Sequence, residues 1–189
     1  MYPLEQIPEP WRGFLRELDR IAVSTVRLDC IGGFVVTMLY GLDRPTADID
    51  VLEIGPRSIE KIFAQIAMAG GALHEKFGVY LDRVAFVLPP YEYEGRLTEM
   101  FPGAFHHLRL MALDPYDLAL TKLVRNIERD RSDIRFLART LPFDLDMLRE
   151  RYQTELRPYL DTQQREDLTL QLWIDSILEE RAAASNARK

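Results

Sequence analysis

This 189-residue chain lacks a pair of cysteines that could form a disulfide, long apolar runs and an excess of positive charge. Its single cysteine, Cys30, excludes an intramolecular disulfide, so a reducing cytoplasm is the expected location. No apolar run approaches the roughly 20 residues that a membrane-spanning helix needs. The first residues, MYPLEQIPEPW, lack the basic and apolar regions of a signal peptide. A cytoplasmic protein without a membrane partner is therefore expected.

The net charge of −6 disfavours a protein that wraps DNA or RNA, because such proteins usually carry a basic balance. A local basic patch remains compatible with RNA contact, and its candidates are Arg125, Arg129, Arg131 and Arg135. The three histidines show no metal-ligand spacing with each other or with Cys30, which argues against a zinc site. Small anionic substrates carried with a metal ion fit an acidic protein.

Hydrophobic periodicity predicts an α+β or α/β-like protein, with strands in its first 112 residues and helices beyond them. A small mixed sheet flanked by helices is expected within residues 1–113, and a helical region packing on that core within 114–189. The predicted strands cover residues 26–31, 47–54, 78–88, 94–101 and 107–113. The predicted helices cover residues 9–24, 34–40, 58–69, 115–128, 134–139, 144–157 and 161–183, with a polar break at 129–133.

Two aspartates in the stretch PTADIDV stand in a predicted strand, where aspartate is disfavoured. Residues two apart share a face of a strand, so Thr46, Asp48 and Asp50 point one way. Ala47, Ile49 and Val51 are expected to face the core. Neighbouring carboxylates repel unless a cation lies between them, and Mg²⁺ prefers such ligands. The alternative is a solvent-facing half of an edge strand.

Gly32-Gly33 separates a predicted strand from a predicted helix. Without side chains, its backbone N–H groups could meet phosphate oxygens at the start of the helix. The alternative is a tight turn that needs positive φ. Because the D-x-D strand follows, a phosphate cradle beside a metal site is the favoured interpretation.

The run CIGGFVVTMLYGLDRPTADIDV resembles the signature of the nucleotidyltransferase superfamily that includes DNA polymerase beta. Ile31-Gly32-Gly33 and Asp48-Ile49-Asp50 match its glycine turn and acidic pair. The chain is most similar to small bacterial AbiEii-like and related uncharacterised nucleotidyltransferases, often toxins of toxin–antitoxin pairs. The resemblance implies a minimal nucleotidyltransferase fold in which Gly32, Gly33 and Thr46 bind the nucleotide.

The superfamily usually supplies a third carboxylate from a later strand, which makes Asp82 the candidate third metal ligand beside Asp48 and Asp50. The alternative is an exposed residue paired with Arg83 or Lys76.

The stretch from Leu113 to Leu137 resembles a helical motif of the same enzymes, with Lys122, Arg125, Asp130 and Asp133 at the matching positions. On one helix, Lys122, Arg125 and Arg129 would form a row that grips a triphosphate. Lys122 is thus a candidate catalytic residue with Asp48 and Asp50, and it joins Arg125 in nucleotide binding. The alternative is a solvated helix face. Asp130 and Asp133 could orient these cations, cap the next helix or touch the nucleotide.

The resemblance implies an Mg²⁺-dependent (or Mn²⁺-dependent) nucleotidyltransferase that moves a nucleoside monophosphate from an NTP, such as ATP, to a hydroxyl group. The acceptor would be an RNA end, such as the 3′ end of tRNA, or a protein, and an antitoxin is a further possible partner. One alternative is a catalytically degenerate module that binds a nucleotide or a partner protein. Another is a structural α+β protein.

Overall fold

The computed structural model describes residues 2–186, and their backbone contacts divide them into two units. The first unit consists of residues up to 86 together with 96–113. The second consists of residues 87–95 together with the chain from 114 onwards. Each unit has its own secondary structure and its own buried side chains, and each is described separately below.

A five-stranded mixed sheet organises the first unit, with the strand order β3-β2-β1-β5-β4. Strand β1 pairs antiparallel with β2 and parallel with β5. Strand β3 pairs parallel with β2, and β4 pairs antiparallel with β5, so β3 and β4 are the two edges. The strands are β1 Val26–Ile31, β2 Asp48–Gly55, β3 Tyr80–Arg83, β4 Thr98–Met100 and β5 Leu108–Ala112.

Four helices accompany this sheet in the first unit: α1 Trp11–Ile21, α2 Gly32–Met38, α3 Arg57–Ile66 and α4 Ala72–Phe77. Helix α1 buries a stripe at helical spacing that includes Trp11, Phe14 and Leu18. Helix α4 was not predicted, because six residues carry too short a periodic pattern. It ends at Gly78, whose positive φ of 72° gives the left-handed cap that glycine favours.

The third predicted strand is shorter than its composition suggests. Residues 78–88 are rich in β-branched and aromatic side chains, yet β3 ends at Arg83. The last contact with β2 is the hydrogen bond that the backbone N–H of Val84 donates to the carbonyl oxygen of Val51 at 3.1 Å. Beyond it, Phe86 is fully exposed. The pairing therefore stops although β2 continues to Gly55, so strand propensity alone does not keep the two strands paired.

The second unit is helical, with α5 Pro115–Leu120, α6 Glu128–Thr140, α7 Leu145–Arg151 and α8 Gln163–Asn186. Asp114 caps α5 as predicted: its carboxylate accepts from the backbone N–H groups of Tyr116 and Asp117, and Pro115 occupies the first helical position. After α7, a π-helical turn at Tyr152–Leu156 and a 3₁₀ turn at Arg157–Tyr159 precede α8.

The prediction that α5 runs to residue 128 is wrong. The helix ends at Leu120, and residues 121–125 form turns. Asn126 then has a φ of +46°, which interrupts right-handed helix, and α6 begins two residues later.

The predicted α+β class, with a small mixed sheet followed by helices, is confirmed. Among residues 2–186, no helix combines the length and apolar character needed to cross a membrane.

Candidate active site

The two aspartates of β2 lie on one face of the sheet, opposite the core. Ile49 and Val51 are fully buried, whereas Asp48 and Asp50 are half-buried. The period of two thus holds within the strand, as predicted. Ala47 differs from the prediction: it precedes the strand and is exposed.

Strand β3 brings a third carboxylate to this face. In the parallel pairing, Asp50 lies opposite Asp82, so their side chains leave the sheet on the same side. One carboxylate oxygen from each of Asp48, Asp50 and Asp82 lies within 4.8 Å of the other two. Together these three aspartates are called the acidic triad below.

The donor set of the acidic triad fits a hard divalent cation. Mg²⁺ binds carboxylate oxygens at about 2.1 Å, which puts two ligands of one ion roughly 3–4 Å apart. The triad oxygens, within 4.8 Å of one another, lie close to that spacing. A bound cation would also relieve the mutual repulsion of three carboxylates. Asp82 is exposed, so the site is open to solvent on the β3 side.

Thr46 holds the first member of the triad. Its hydroxyl donates to a carboxylate oxygen of Asp48 at 2.9 Å. The bond leaves the second carboxylate oxygen of Asp48 available as a ligand and limits the rotation of the side chain. In the structure, Thr46 therefore orients the carboxylate of Asp48.

Gly32 has a steric reason to be glycine. It follows β1, begins α2 and has a φ of +74°. A Cβ built on it would overlap a carboxylate oxygen of Asp50 and lie 2.8 Å from the Asp50 Cγ. The glycine therefore lets the Asp50 carboxylate lie directly against the backbone at the start of α2. Gly32 and Gly33 are both buried.

Tyr80 belongs to the same face as the acidic triad, as the two-residue period of a strand indicates from the position of Asp82. It lies opposite Asp48 in the β2–β3 pairing and two residues before Asp82. Its hydroxyl is close enough to the triad for the charges to affect it. Burial first, and then the charges of Asp48, Asp82 and Asp50, raise the pKa of Tyr80.

His74 of α4 packs against the Tyr80 ring. The two ring centroids are 4.9 Å apart and the rings meet at 63°. The His74 ring is itself fixed, because its Nδ1 accepts a hydrogen bond of 2.9 Å from the backbone N–H of Gly70. The ring of Tyr80 thus packs against a helix that the sequence did not predict.

The two cations considered as partners of Asp82 pair elsewhere. Arg83 contacts Glu60 at 2.7 Å and Glu53 at 3.5 Å. Lys76 contacts Glu17 at 3.0 Å.

Lys122 of the second unit is buried among carboxylates. Its side chain is only 5% exposed, and its Nζ lies 2.9 Å from Asp133 and 3.7 Å from Asp130. Both acids are themselves buried. The Lys122 ammonium offsets the charge of two buried carboxylates and links the turn after α5 to α6, so its removal would leave buried charge uncompensated.

Arg125 shares one of these acids. Its guanidinium forms a two-bond contact with Asp130, at 2.9 and 2.6 Å, while its side chain remains 62% exposed. The same carboxylate accepts from the backbone N–H of Ile127 at 3.2 Å and so caps α6. Of the three roles considered for Asp130, orienting cations and capping a helix are both observed.

The predicted row of cations on one helix does not exist. Lys122 and Arg125 lie in turns between α5 and α6, and Arg129 lies in α6. Within the predicted basic patch, Arg131 and Arg135 both pair with Glu128. These pairs offset much of the positive charge that the sequence suggested for RNA contact.

A comparison with protein families matches residues 14–179 to the family described as nucleotidyltransferase of unknown function (DUF6036). The chain belongs to this family. The match confirms the suspected nucleotidyltransferase superfamily and covers both units of the structure. No curated protein and no solved structure matches the chain significantly.

Membership of a nucleotidyltransferase family implies a nucleoside triphosphate and a divalent metal ion. The acidic triad supplies ligands of the right chemistry for such an ion in this member of the family. Of the predicted site residues, the fold gathers Gly32, Thr46 and the triad in the first unit. Gly33 adjoins them as the next residue of α2, whereas Lys122 and Arg125 belong to the second unit.

Proposed function

We propose that this nucleotidyltransferase uses Mg²⁺ or Mn²⁺ at the acidic triad to move a nucleoside monophosphate from an NTP to a hydroxyl group. The observation that carries the proposal is the convergence of three carboxylates from two paired strands, with their oxygens within 4.8 Å of one another. The family match supplies the reaction class.

Each predicted site residue of the first unit has a role in this proposal. Asp48 and Asp50 hold the metal ion, Asp82 completes its protein ligands, and Thr46 fixes Asp48. When bound, the ion would neutralise charge on the α-phosphate and assist attack by the acceptor hydroxyl. The turn at Gly32-Gly33 would receive the β- and γ-phosphates, and pyrophosphate would leave on that side.

The predicted triphosphate contacts of Lys122 and Arg125 stay predictions. Both side chains are already held by buried acids of the second unit. Because acids already hold both of these cations, the second candidate function is that of a catalytically degenerate protein, which binds a nucleotide without turnover. It would bind Mn²⁺ and NTP but would transfer no label to RNA or protein.

The proposed acceptor is the 3′ end of an RNA such as tRNA, or a hydroxyl of a protein. The resemblance to toxin-type enzymes adds the proposal that the chain is a toxin with an antitoxin partner. Incubation with each α-³²P-labelled NTP, Mg²⁺ or Mn²⁺, purified tRNA and cell protein separates the two acceptors, because the label appears in different fractions.

The decisive variant is Asp50→Asn, which keeps the size of the side chain and removes its charge. We expect the transfer rate to fall about a hundredfold or more, because metal ions supply several kcal/mol of transition-state stabilisation. Glu75→Gln is the matched control, since it removes one carboxylate from an exposed position of α4. Transfer by Asp50→Asn at a rate within a few fold of that of the Glu75→Gln control would overturn the site assignment.

A further inference from the structure

The acidic triad is bordered by different groups on its two sides. On the β1 side, Asp50 lies against buried Gly32 at the start of α2. On the other side, β3 is the edge strand of the sheet, and its Asp82 is exposed. The side with β3 is therefore the open one.

The in-line geometry of phosphoryl transfer indicates which substrate group lies on each side of the triad. Phosphoryl transfer places the attacking and leaving oxygens on opposite sides of the phosphorus. In the function proposed above, on which this inference rests, pyrophosphate leaves on the side of Gly32-Gly33. The attacking hydroxyl must then approach from the β3 side, where Asp82 and Tyr80 lie.

The side chain of Tyr80 is suited to contact the acceptor, the substrate that carries the attacking hydroxyl. Its ring is half-buried, stands beside Asp48 across the strand pair, and is braced by His74 at a centroid distance of 4.9 Å. A fixed and partly exposed aromatic ring offers a stacking surface for an unpaired base or its ribose, and the hydroxyl adds a hydrogen-bonding group. A preset ring also loses little conformational freedom on binding.

We propose that Tyr80 is an acceptor-binding residue, and that it holds the terminal nucleotide of an RNA 3′ end so that its hydroxyl faces the acidic triad. Tyr80 contacts the acceptor and leaves the binding of metal and NTP to the other residues of the site. His74 is a positioning residue that acts through the Tyr80 ring.

The test uses Tyr80→Leu, which removes the ring, and Tyr80→Phe, which removes only the hydroxyl. Tyr2→Leu is the matched control: Tyr2 packs edge-on against Phe101, the residue after β4, at the opposite edge of the sheet. The assay measures KM for purified tRNA and KM for the labelled NTP separately, and calorimetry measures Mn²⁺ affinity.

We expect Tyr80→Leu to raise KM for tRNA about tenfold, which is the range of one lost base–aromatic stack. The KM for NTP and the Mn²⁺ affinity should stay at the values of the Tyr2→Leu control. Tyr80→Phe should have a smaller effect on KM for tRNA, because it keeps the ring and its contact with His74.

Three results would overturn the inference alone while the proposed function stands. The first is transfer by Tyr80→Leu with the KM values of the control. The second is a rise in KM for NTP in place of KM for tRNA. The third is labelling by the wild-type protein of the protein fraction only. A wild-type protein that binds neither Mn²⁺ nor NTP would instead refute the proposed function, and the inference would fall with it.

Discussion

Replacing Gly32 by alanine tests whether the close approach of the Asp50 carboxylate to the backbone sets the geometry of the proposed metal site. Two costs follow from the structure. A side chain at a φ of +74° costs about 1–2 kcal/mol of folding free energy. In addition, the new Cβ would overlap the Asp50 carboxylate, and forced overlap in a packed region costs about 1–3 kcal/mol.

Gly78→Ala separates the two costs. Gly78 has nearly the same φ, +72°, and a Cβ built there meets no atom within 4 Å. We therefore expect Gly78→Ala to lose about 1–2 kcal/mol and to bind metal normally. Gly32→Ala should lose about 2–5 kcal/mol in total, because the overlap adds to the backbone strain.

The assays are urea unfolding for stability and calorimetric titration with Mn²⁺ for the site. We expect Gly32→Ala to lower Mn²⁺ affinity at least about tenfold, since Asp50 must move away from its ligand position. The reasoning is refuted if both alanine variants lose the same stability and Gly32→Ala retains wild-type Mn²⁺ affinity. Asp50 would then owe its position to groups other than the glycine backbone.

Two further predictions concern charged groups away from the metal site. Lys122→Met should lower the free energy of unfolding in urea by about 3–5 kcal/mol, because it leaves buried carboxylates without their cation. Lys76→Met, at an exposed pair, should lower it by no more than about 1 kcal/mol. Similar losses for both variants would contradict a structural role for Lys122. Burial raises the pKa of Asp19, but backbone N–H groups of His106, Leu108 and His107 outweigh it and hold the pKa below its usual 3.8. A lowered folded-state pKa gives stability that is present above the unfolded value and is lost as pH falls through the folded value. The stability difference between wild type and Asp19→Asn should thus be constant above about pH 5 and shrink below about pH 4; a difference that persists unchanged to pH 2 would refute the assignment.

Local rules were enough for the parts of the fold that depend on neighbouring residues in the chain. The alternation of β2 follows from the two-residue period of any strand, and it places Asp48 and Asp50 on one face. The start of α5 follows from Asp114 and Pro115, whose side chains act within one turn.

Other elements depended on contacts that no local pattern contains. Strand β3 stops at Arg83 although its neighbour β2 continues to Gly55, because a strand lasts only as long as its own backbone stays hydrogen-bonded to that neighbour, whatever the propensity of the residues that follow. The apolar pattern after Pro115 favoured one long helix, but the chain turns after Leu120. In that turn Lys122 reaches a buried carboxylate, Asp133, eleven residues later.

The sequence by itself contained the pattern from which the chemistry is proposed, because the spacing of Gly32-Gly33 and Asp48-x-Asp50 can be read directly along the chain. Only the tertiary structure decided which other groups stand beside those acids. The pairing of β2 with β3 brings Asp82 opposite Asp50 and Tyr80 opposite Asp48. Such a register is set by backbone hydrogen bonds between distant segments, and a shift of one residue would send both side chains to the other face of the sheet.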